Sequence, residues 1–464
     1  MRTNAGGLST RIREMYPCLA IIRDASIVPR GDSSQESEFI TPLLTENCSR
    51  SNISEMQEEA LLPERTLSTR DHLNLSIYWF SLNFHWGAML AVVLPIEVLA
   101  RSPEVSKGLV LGLIAGVGSL VGMIAQPVAG AYSDRCRLGW GRRRPFVLGG
   151  ALINVAGLLW MPRTTSLFAL AGAFTLVMLG NNISSAAYQG YIPDQVPQQQ
   201  RGKASGYMGL MSMVGTISSF GVAAALVSPG RTYPFYAVLA LVMLLGAALT
   251  LWKVSDSPAP ERQASSRLSW TQSLRNPDFL WLSITRALVM LALYAMVTFV
   301  EYFLRDKIGL PNFVGATLVI SSIALGGSLA SALFAGALSD RIGRKGIVSV
   351  ASLAMAVTFL FFVVAPIWNV ILVVGVLFGL GYGAYTSVDW ALALDVLPDK
   401  NRVARDLGVW GFASTLPQTL APLIGGALLY LLGPSGWGYS GIFLLATLSS
   451  LAAAGLVWRI KSVR

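Results

Sequence analysis

Two phrases in this chain are each written twice, in the same order and at nearly one spacing. The first is Gly130-Ala-Tyr-Ser-Asp134-Arg135, followed by Gly141-Arg142-Arg143-Arg144. It returns as Gly336-Ala-Leu-Ser-Asp340-Arg341, followed by Gly343-Arg344-Lys345, with the Asp residues 206 apart and the Gly-Arg pairs 202 apart. The second is Asp194-x-x-Pro197-x-x-x-Arg201, which returns 201 residues later as Asp395-x-x-Pro398-x-x-x-Arg402. Two motifs that recur in order at one period mark a duplicated half of about 200 residues. Any fold for this chain is therefore two copies of one unit, with these charged phrases in equivalent gaps.

The gaps lie between long apolar runs. A membrane span needs about 20 apolar residues, and twelve runs qualify. In the first half they fall near 74–99, 108–131, 145–163, 166–190, 203–227 and 232–253. In the second they fall near 278–303, 312–336, 347–365, 368–393, 408–431 and 437–459. A mean hydropathy of +0.56 with only 13% charged residues excludes an ordinary soluble domain. The expected fold is all-α and integral to the membrane, with twelve transmembrane helices in two pseudo-symmetric six-helix bundles. The expected segments are a disordered cytoplasmic tail (1–73), a first bundle (74–253), a polar linker (254–276), a second bundle (277–459) and a short tail (460–464).

Charge sets the orientation. With both termini in the cytoplasm, the inner loops and the C-terminal end hold 20 Lys and Arg and the outer loops hold six. The excess inside is the usual one for a membrane protein, and it argues against a nucleic-acid partner. The tail is different: residues 1–73 carry 8 basic and 11 acidic residues. It is rich in Ser, Glu, Thr and Asn from Arg30 to Arg70, which reads as disorder, and no run in it is long enough for a signal peptide. Asn47 and Asn52 match the glycosylation pattern, but on the cytoplasmic side that match is chance. Met56 is an alternative start that leaves every apolar run intact. Cys18, Cys48 and Cys136 have no paired spacing and imply neither disulfides nor a metal site.

The duplicated charged phrases have a physical logic. Gly permits close helix contact, an Asp at a helix end can bond the free N–H groups of a neighbouring helix or pair with Arg, and the basic run suits an anionic inner leaflet. Gly130, Asp134, Arg135, Gly141, Arg142 and Arg143, with Gly336, Asp340, Arg341, Gly343 and Arg344, make two breakable latches. Asp194, Arg201, Asp395 and Arg402 make the matching cytoplasmic hinges. A plain positive-inside loop explains one copy, not two in register. Gly112, Gly116, Gly118 and Gly122, like Gly326, Gly327, Gly425 and Gly426, offer small-residue seams for close packing.

Gly-x-x-x-Asp-Arg-x-Gly-Arg-Arg/Lys between spans 2 and 3, and again between 8 and 9, resembles the signature of the major facilitator superfamily. The resemblance covers about 390 of the 464 residues, from Leu73 onward. The wording of the first copy, Ser133-Asp-Arg-Cys-Arg-Leu-Gly-Trp-Gly-Arg-Arg-Arg-Pro-Phe146, and Gly180-Asn181-Asn182 resemble the sucrose–proton symporter and glycoside–pentoside–hexuronide cation symporter branch. Where that group carries an Arg associated with proton coupling, this chain has Gln189; its Asp matches at Asp194. Ser387-Val-Asp389-Trp-Ala-Leu is more similar to bacterial relatives. The resemblance implies a secondary transporter working by alternating access, with spans 1, 4, 7 and 10 lining a central cavity.

Charge inside a span is expensive and marks a functional candidate. The candidates fall on those four spans: Asn83 and His85 on span 1, Asn181, Asn182 and Gln189 on span 4, Arg286 on span 7 and Asp389 on span 10. At about 1.5 Å per residue, Arg286 is near mid-helix and reaches one turn towards Asp389. That pair reads equally as a switch or as a fixed structural ion pair. Asn83 and His85 stand about 200° apart on a helix and cannot share one direction. Glu97 and Glu301, at outer helix ends, read as rim carboxylates open to water. Trp79, Trp86, Tyr294 and Trp390 suit sugar stacking or interface anchoring equally well.

No Gly-Lys-Ser/Thr phosphate loop and no metal-ligand spacing is present, so ATP-driven pumping, metal chemistry, cofactors and enzyme activity are not expected. The expected function is secondary transport of a small polar solute, with a sugar or glycoside implied by family and a proton as coupling ion, by a monomer in the cell membrane. A drug or metabolite exporter of the same fold is one alternative. A membrane scaffold or sensor that does not transport is another.

Overall fold

The computed structural model describes residues 67–136, 138–197, 200–256, 274–397 and 403–463. The expected tail up to residue 66, with Asn47, Asn52 and Met56, lies outside the described residues, as do most of the linker, Pro398, Arg402 and the side chains of Arg201 and Asp340.

Among the described residues twelve helices are long and apolar enough to cross a membrane. They are α1 (Thr69–Leu99), α2 (Lys107–Arg135), α3 (Arg144–Arg163), α4 (Leu167–Gln189), α5 (Gly202–Leu226) and α6 (Tyr233–Lys253). The second half supplies α7 (Pro277–Asp306), α8 (Phe313–Gly336), α9 (Arg344–Val364), α10 (Trp368–Ala393), α11 (Val409–Leu432) and α12 (Gly438–Arg459). Helix α1 begins five residues before the apolar run does. Ser68 and Asp71 explain this: the Ser68 hydroxyl accepts the Asp71 N–H at 3.3 Å and the Asp71 carboxylate accepts the Ser68 N–H at 2.9 Å, a reciprocal cap. Midway, α1 widens into a π turn at Met89–Val93 that packs against α7 and α8.

The duplication reappears as a duplicated packing scheme. In the first half α1 packs on α5 and α6, α3 on α4 and α6, and α2 on α4. In the second half α7 packs on α11 and α12, α9 on α10 and α12, and α8 on α10. Each pairing is the earlier one shifted by six helices. The contacts between halves follow the same symmetry: α2 meets α11, and α5 meets α8.

The α2–α11 seam is confined to one end. Call the end where α1 begins and α12 finishes proximal, and the other end distal. Gly108, Gly112 and Gly116, in the distal half of α2, lie against Leu429, Pro422 and Leu423 of α11. A methyl placed on Gly112 would sit 2.2 Å from the Pro422 carbonyl oxygen, so only glycine lets these backbones approach. Gly118 and Gly122 belong to a different face and meet Phe174, Met178 and Asn182 of α4. Proximally the picture reverses. A methyl on Gly130, Gly202, Gly206, Gly209 or Gly411 would meet nothing within 4 Å. The expected close contact at Gly130 is therefore absent here, because its end of the seam is apart; Gly336 keeps one neighbour, the Ser387 hydroxyl of α10.

Candidate transport site and its charged ends

The proximal half of the second bundle holds a buried ion pair between two spans. Arg286 on α7 donates to Asp389 on α10 through Nη1. Its Nε donates to Ser414 Oγ on α11 at 2.5 Å, and its guanidinium lies 3.5 Å from the centroid of the Trp410 ring. Asp389 is 2% exposed. Trp410 meets Trp390 edge-on at 5.1 Å, and Trp390 is half exposed. One cation thus gathers three helices. The pair itself was legible from charge in apolar runs; Trp410 and Ser414 were not, since aromatics and hydroxyls occur throughout the spans.

The first half gathers polar groups without charge. Trp86 Nε1 on α1 donates to Asn181 Oδ1 on α4 at 3.1 Å, leaving the buried Asn181 Nδ2 without a protein partner. His85 is fully buried, lies edge-on to Trp86 at 4.7 Å, and has no partner on either ring nitrogen. Tyr188 donates to the Leu75 carbonyl of α1 and packs on Tyr78 and Trp79. Three candidates turn away from this group. Asn83 bonds its own helix at Trp79 O (2.8 Å) beside Gly215 of α5. Asn182 bonds Met178 O at 2.8 Å and packs on Gly122 of α2. Gln189 donates to Ser185 Oγ at 2.9 Å, within α4. Four of the seven candidates therefore fall into two groups, His85 and Asn181 around Trp86 in the first bundle and Arg286 with Asp389 in the second, rather than into one constellation.

At the proximal end the two duplicated phrases meet each other. Arg142 and Arg143, both buried, pair with Asp194, Arg143 through Nε at 2.6 Å. Arg344 pairs with Asp395 at 2.6 Å in the second half. The Gly before each Arg has positive φ, +128° at Gly141 and +94° at Gly343, which lets the chain turn sharply into the next helix. Burial works against ionising Asp194, but the bonds from Arg143 and Arg142 outweigh it and hold its carboxyl below the ordinary value. Asp134 pairs with Arg143 at 3.1 Å and stays exposed, as do Arg135 and Arg341. The carboxylate that caps a neighbouring helix is instead Asp256, which accepts the N–H groups of Arg143 (2.7 Å) and Arg144 (3.1 Å). All these bonds stay within one half.

Charge crosses between halves at the distal end. Glu104, in the α1–α2 loop, pairs with Arg305 of α7 at 2.6 Å and with Lys107 at 2.6 Å. Lys107 also pairs with Asp306 at 2.6 Å and lies 5.4 Å from the Tyr302 ring centroid. Tyr439 of α12 donates to Asp306. Hydrogen bonds from Arg305 and Lys107 lower the Glu104 carboxyl to about 2. Two expectations need correction here. Glu97 is buried, bonded to Arg101 and accepting from Thr232 Oγ1 at 2.5 Å, beside a cavity of about 380 Å³. Glu301 is wholly buried. Neither is a rim carboxylate, because the neighbouring helices close over both positions.

Residues 107–460 match the family model described as MFS/sugar transport protein. The chain belongs to that family. Among curated relatives, the multidrug resistance protein MdtG of Rahnella sp. (strain Y9602) is 26% identical over 308 residues, 62% of this chain and 70% of that protein. The sucrose transport protein SUT1 of Oryza sativa subsp. japonica is 34% identical over 73 residues, 16% of this chain and 13% of that protein. Among solved structures, a D-xylose-proton symporter aligns with a TM-score of 0.65 at 15% identity, covering 85% of this chain and 98% of that one. The MFS/sugar family member is thus a transporter in fold and kin, not an enzyme, and its two charged ends differ. Proximal charges tie loops within a bundle, whereas distal charges tie bundle to bundle.

Proposed function

We propose that this protein carries a small polar solute, a sugar or glycoside, across the cell membrane by alternating access, coupled to protons. The observation that carries the reading is the Arg286–Asp389 pair with Trp410 and Trp390, on a two-bundle scaffold. A guanidinium and carboxylate that bond each other can open to bond hydroxyls, and indole faces suit the apolar faces of sugar rings. The family description and the likeness to a sucrose transport protein support this solute class. Proton coupling is supported by the buried carboxylate and by the name of the aligned symporter. The lysine and arginine distribution supports a cytoplasmic proximal end. The chain then faces inward, with its distal end closed by the glycine seam and the cross-bundle ion pairs. Asp134 and Asp340, with Asp194 and Asp395, serve as the latches that rearrange when the proximal end closes.

Export of a drug or metabolite is the second reading, because the likeness to MdtG spans more of the chain than the likeness to SUT1. Counterflow into proteoliposomes with a panel of sugars, glycosides, nucleosides and cationic drugs tests both. Exchange of a sugar or glycoside supports the first reading. Exchange of a cationic drug alone replaces it with the second, and exchange of nothing in the panel overturns both.

A further inference from the structure

Glu301 has no place in the site described above. It stands on α7 four residues before Arg305, is 0% exposed, and has no hydrogen-bond partner on either carboxylate oxygen. An ionised carboxylate buried without a counter-ion costs far more than the neutral acid. Among the described residues no surrounding element supplies the missing charge. On α7 itself, Tyr302 donates to the Pro95 carbonyl, and Arg305 and Asp306 are engaged in the distal network. From α2 and the loop before it come Lys107 and Glu104, bonded to each other and to that network. From α1 comes Glu97, held by Arg101 and Thr232, and from α12 comes Tyr439, held on Asp306. From α10 the charged group is Asp389, near the opposite end and taken by Arg286. The distal halves of α8 and α11 carry no ionisable residue except the exposed Tyr430. The part of α1 packed on α7 runs from the π turn Met89–Val93, a distortion that recurs at functional sites, into Leu94–Leu99.

We propose that Glu301 is a proton-binding site linked to the distal gate: it takes up one proton as that end closes and releases it as that end opens. The inference rests on alternation between two states but not on which solute is carried. With the distal end closed, Arg305 is held by Glu104 of the other bundle. Opening that end separates the two. Glu301 and Arg305 are four residues apart with the acid on the N-terminal side, the favourable order for an ion pair along a helix. The released Arg305 therefore has a carboxylate one turn below it. Glu301 ionises against that guanidinium, and its proton passes to water at the open end. Closure returns Arg305 to Glu104, breaks the Arg305–Glu301 pair, and forms one O–H bond on Glu301 with a proton taken from the same side. Because the protonated form belongs to the closed state, acid favours closure and alkali favours opening. Glu104 does not imitate this response between pH 5 and 9, since its carboxyl titrates at about 2.

The test places spin labels at Val105→Cys and Lys307→Cys, two exposed positions on opposite bundles at the distal end. Cys18, Cys48 and Cys136 are replaced by Ser. Distances are read by double electron–electron resonance from pH 5 to 9. In the parent the closed-to-open ratio rises as pH falls, by up to about tenfold per unit, the limit for one linked proton. Glu301→Gln, an uncharged stand-in for the acid, stays closed across the range and loses that slope, while Glu301→Asp keeps it. A Glu301→Gln curve that follows the parent, or a parent with no pH response, overturns the proposal. The readout needs no solute, so a negative solute panel and a failed proton site remain distinguishable.

Discussion

At the scale of single residues, the pair Arg286–Asp389 shows what desolvation demands. Both groups sit among apolar helices, and each is tolerable only because the other is there. Removing one partner leaves a buried charge. Asp389→Asn is expected to lower stability by about 3–5 kcal/mol, measured by thermal unfolding in detergent at fixed pH. The same variant is expected to abolish uphill accumulation and spare downhill exchange, because exchange needs no net proton release. Undiminished uphill transport at several pH values would rule Asp389 out as the coupling group. Arg286→Lys keeps the charge but loses the planar fork that reaches Asp389 and Ser414 while covering Trp410. It is expected to shift the pH dependence of transport and to restore only part of the stability. The sequence made this pair legible because charge in an apolar run is rare. It did not make legible which way Asn83 and Asn182 turn, since that depends on Gly215 of α5 and Gly122 of α2, residues far away in sequence. The burial of Glu301 was hidden for the same reason: a helix end is a rim only until neighbouring helices cover it.

At the scale of elements, the spans, their number and their duplication were legible, because apolar length and motif spacing are written locally. The six-helix shift in packing partners follows from that duplication. The seam between halves was half legible. Glycines announced close packing, but one helix uses them on two faces, towards α11 at Gly112 and Gly116 and towards α4 at Gly118 and Gly122. Gly112→Val is expected to wedge α2 from α11 against the Pro422 carbonyl. Overpacking costs about 1–3 kcal/mol, so the ratio of closed to open distal states should fall by about 5- to 150-fold, read by labelled distances across that end. An unchanged distribution would mean the backbones can separate locally at no cost. The proximal pairs make a second element-scale test. Asp194→Asn frees Arg142 and leaves Arg143 only its pair with Asp134, and Asp395→Asn weakens the equivalent hold on Arg344. Each should loosen its own bundle's proximal loops, seen as faster amide exchange there. The Asp194 carboxyl is held below its ordinary 3.8, so its contribution is present above that value and is lost as pH falls through the lower folded value. Acid loosening should therefore begin only below about pH 4.

At the scale of the whole molecule, two bundles that rock need contacts at one end that break when the other end closes. The sequence pointed to the proximal motifs for that task, since they are duplicated and strongly basic. The structure gives the cross-bundle bonds to residues without any motif, Glu104 and Lys107 on one side and Arg305 and Asp306 on the other. They were illegible because single charges near outer helix ends are common, and only the closed seam brings these four together. Surface ion pairs alone are worth little, typically about 0–1 kcal/mol each. Joined in one network against a packed glycine seam, they need only bias an equilibrium between two states of similar energy. Reversing one charge tests this directly. Glu104→Arg sets one cation against both Arg305 and Lys107 and should shift the molecule towards a distally open state. Arg305→Glu should do the same by facing Glu104. The double exchange, Glu104→Arg with Arg305→Glu, restores opposite charges at the same two positions and should return most of the closed population. Labelled distances across the distal end report the three results at one pH, and added salt should shrink the single-variant effects. If the double variant is as open as the sum of the singles, Glu104 and Arg305 do not act as a pair. Closure would then rest on the α2–α11 seam alone.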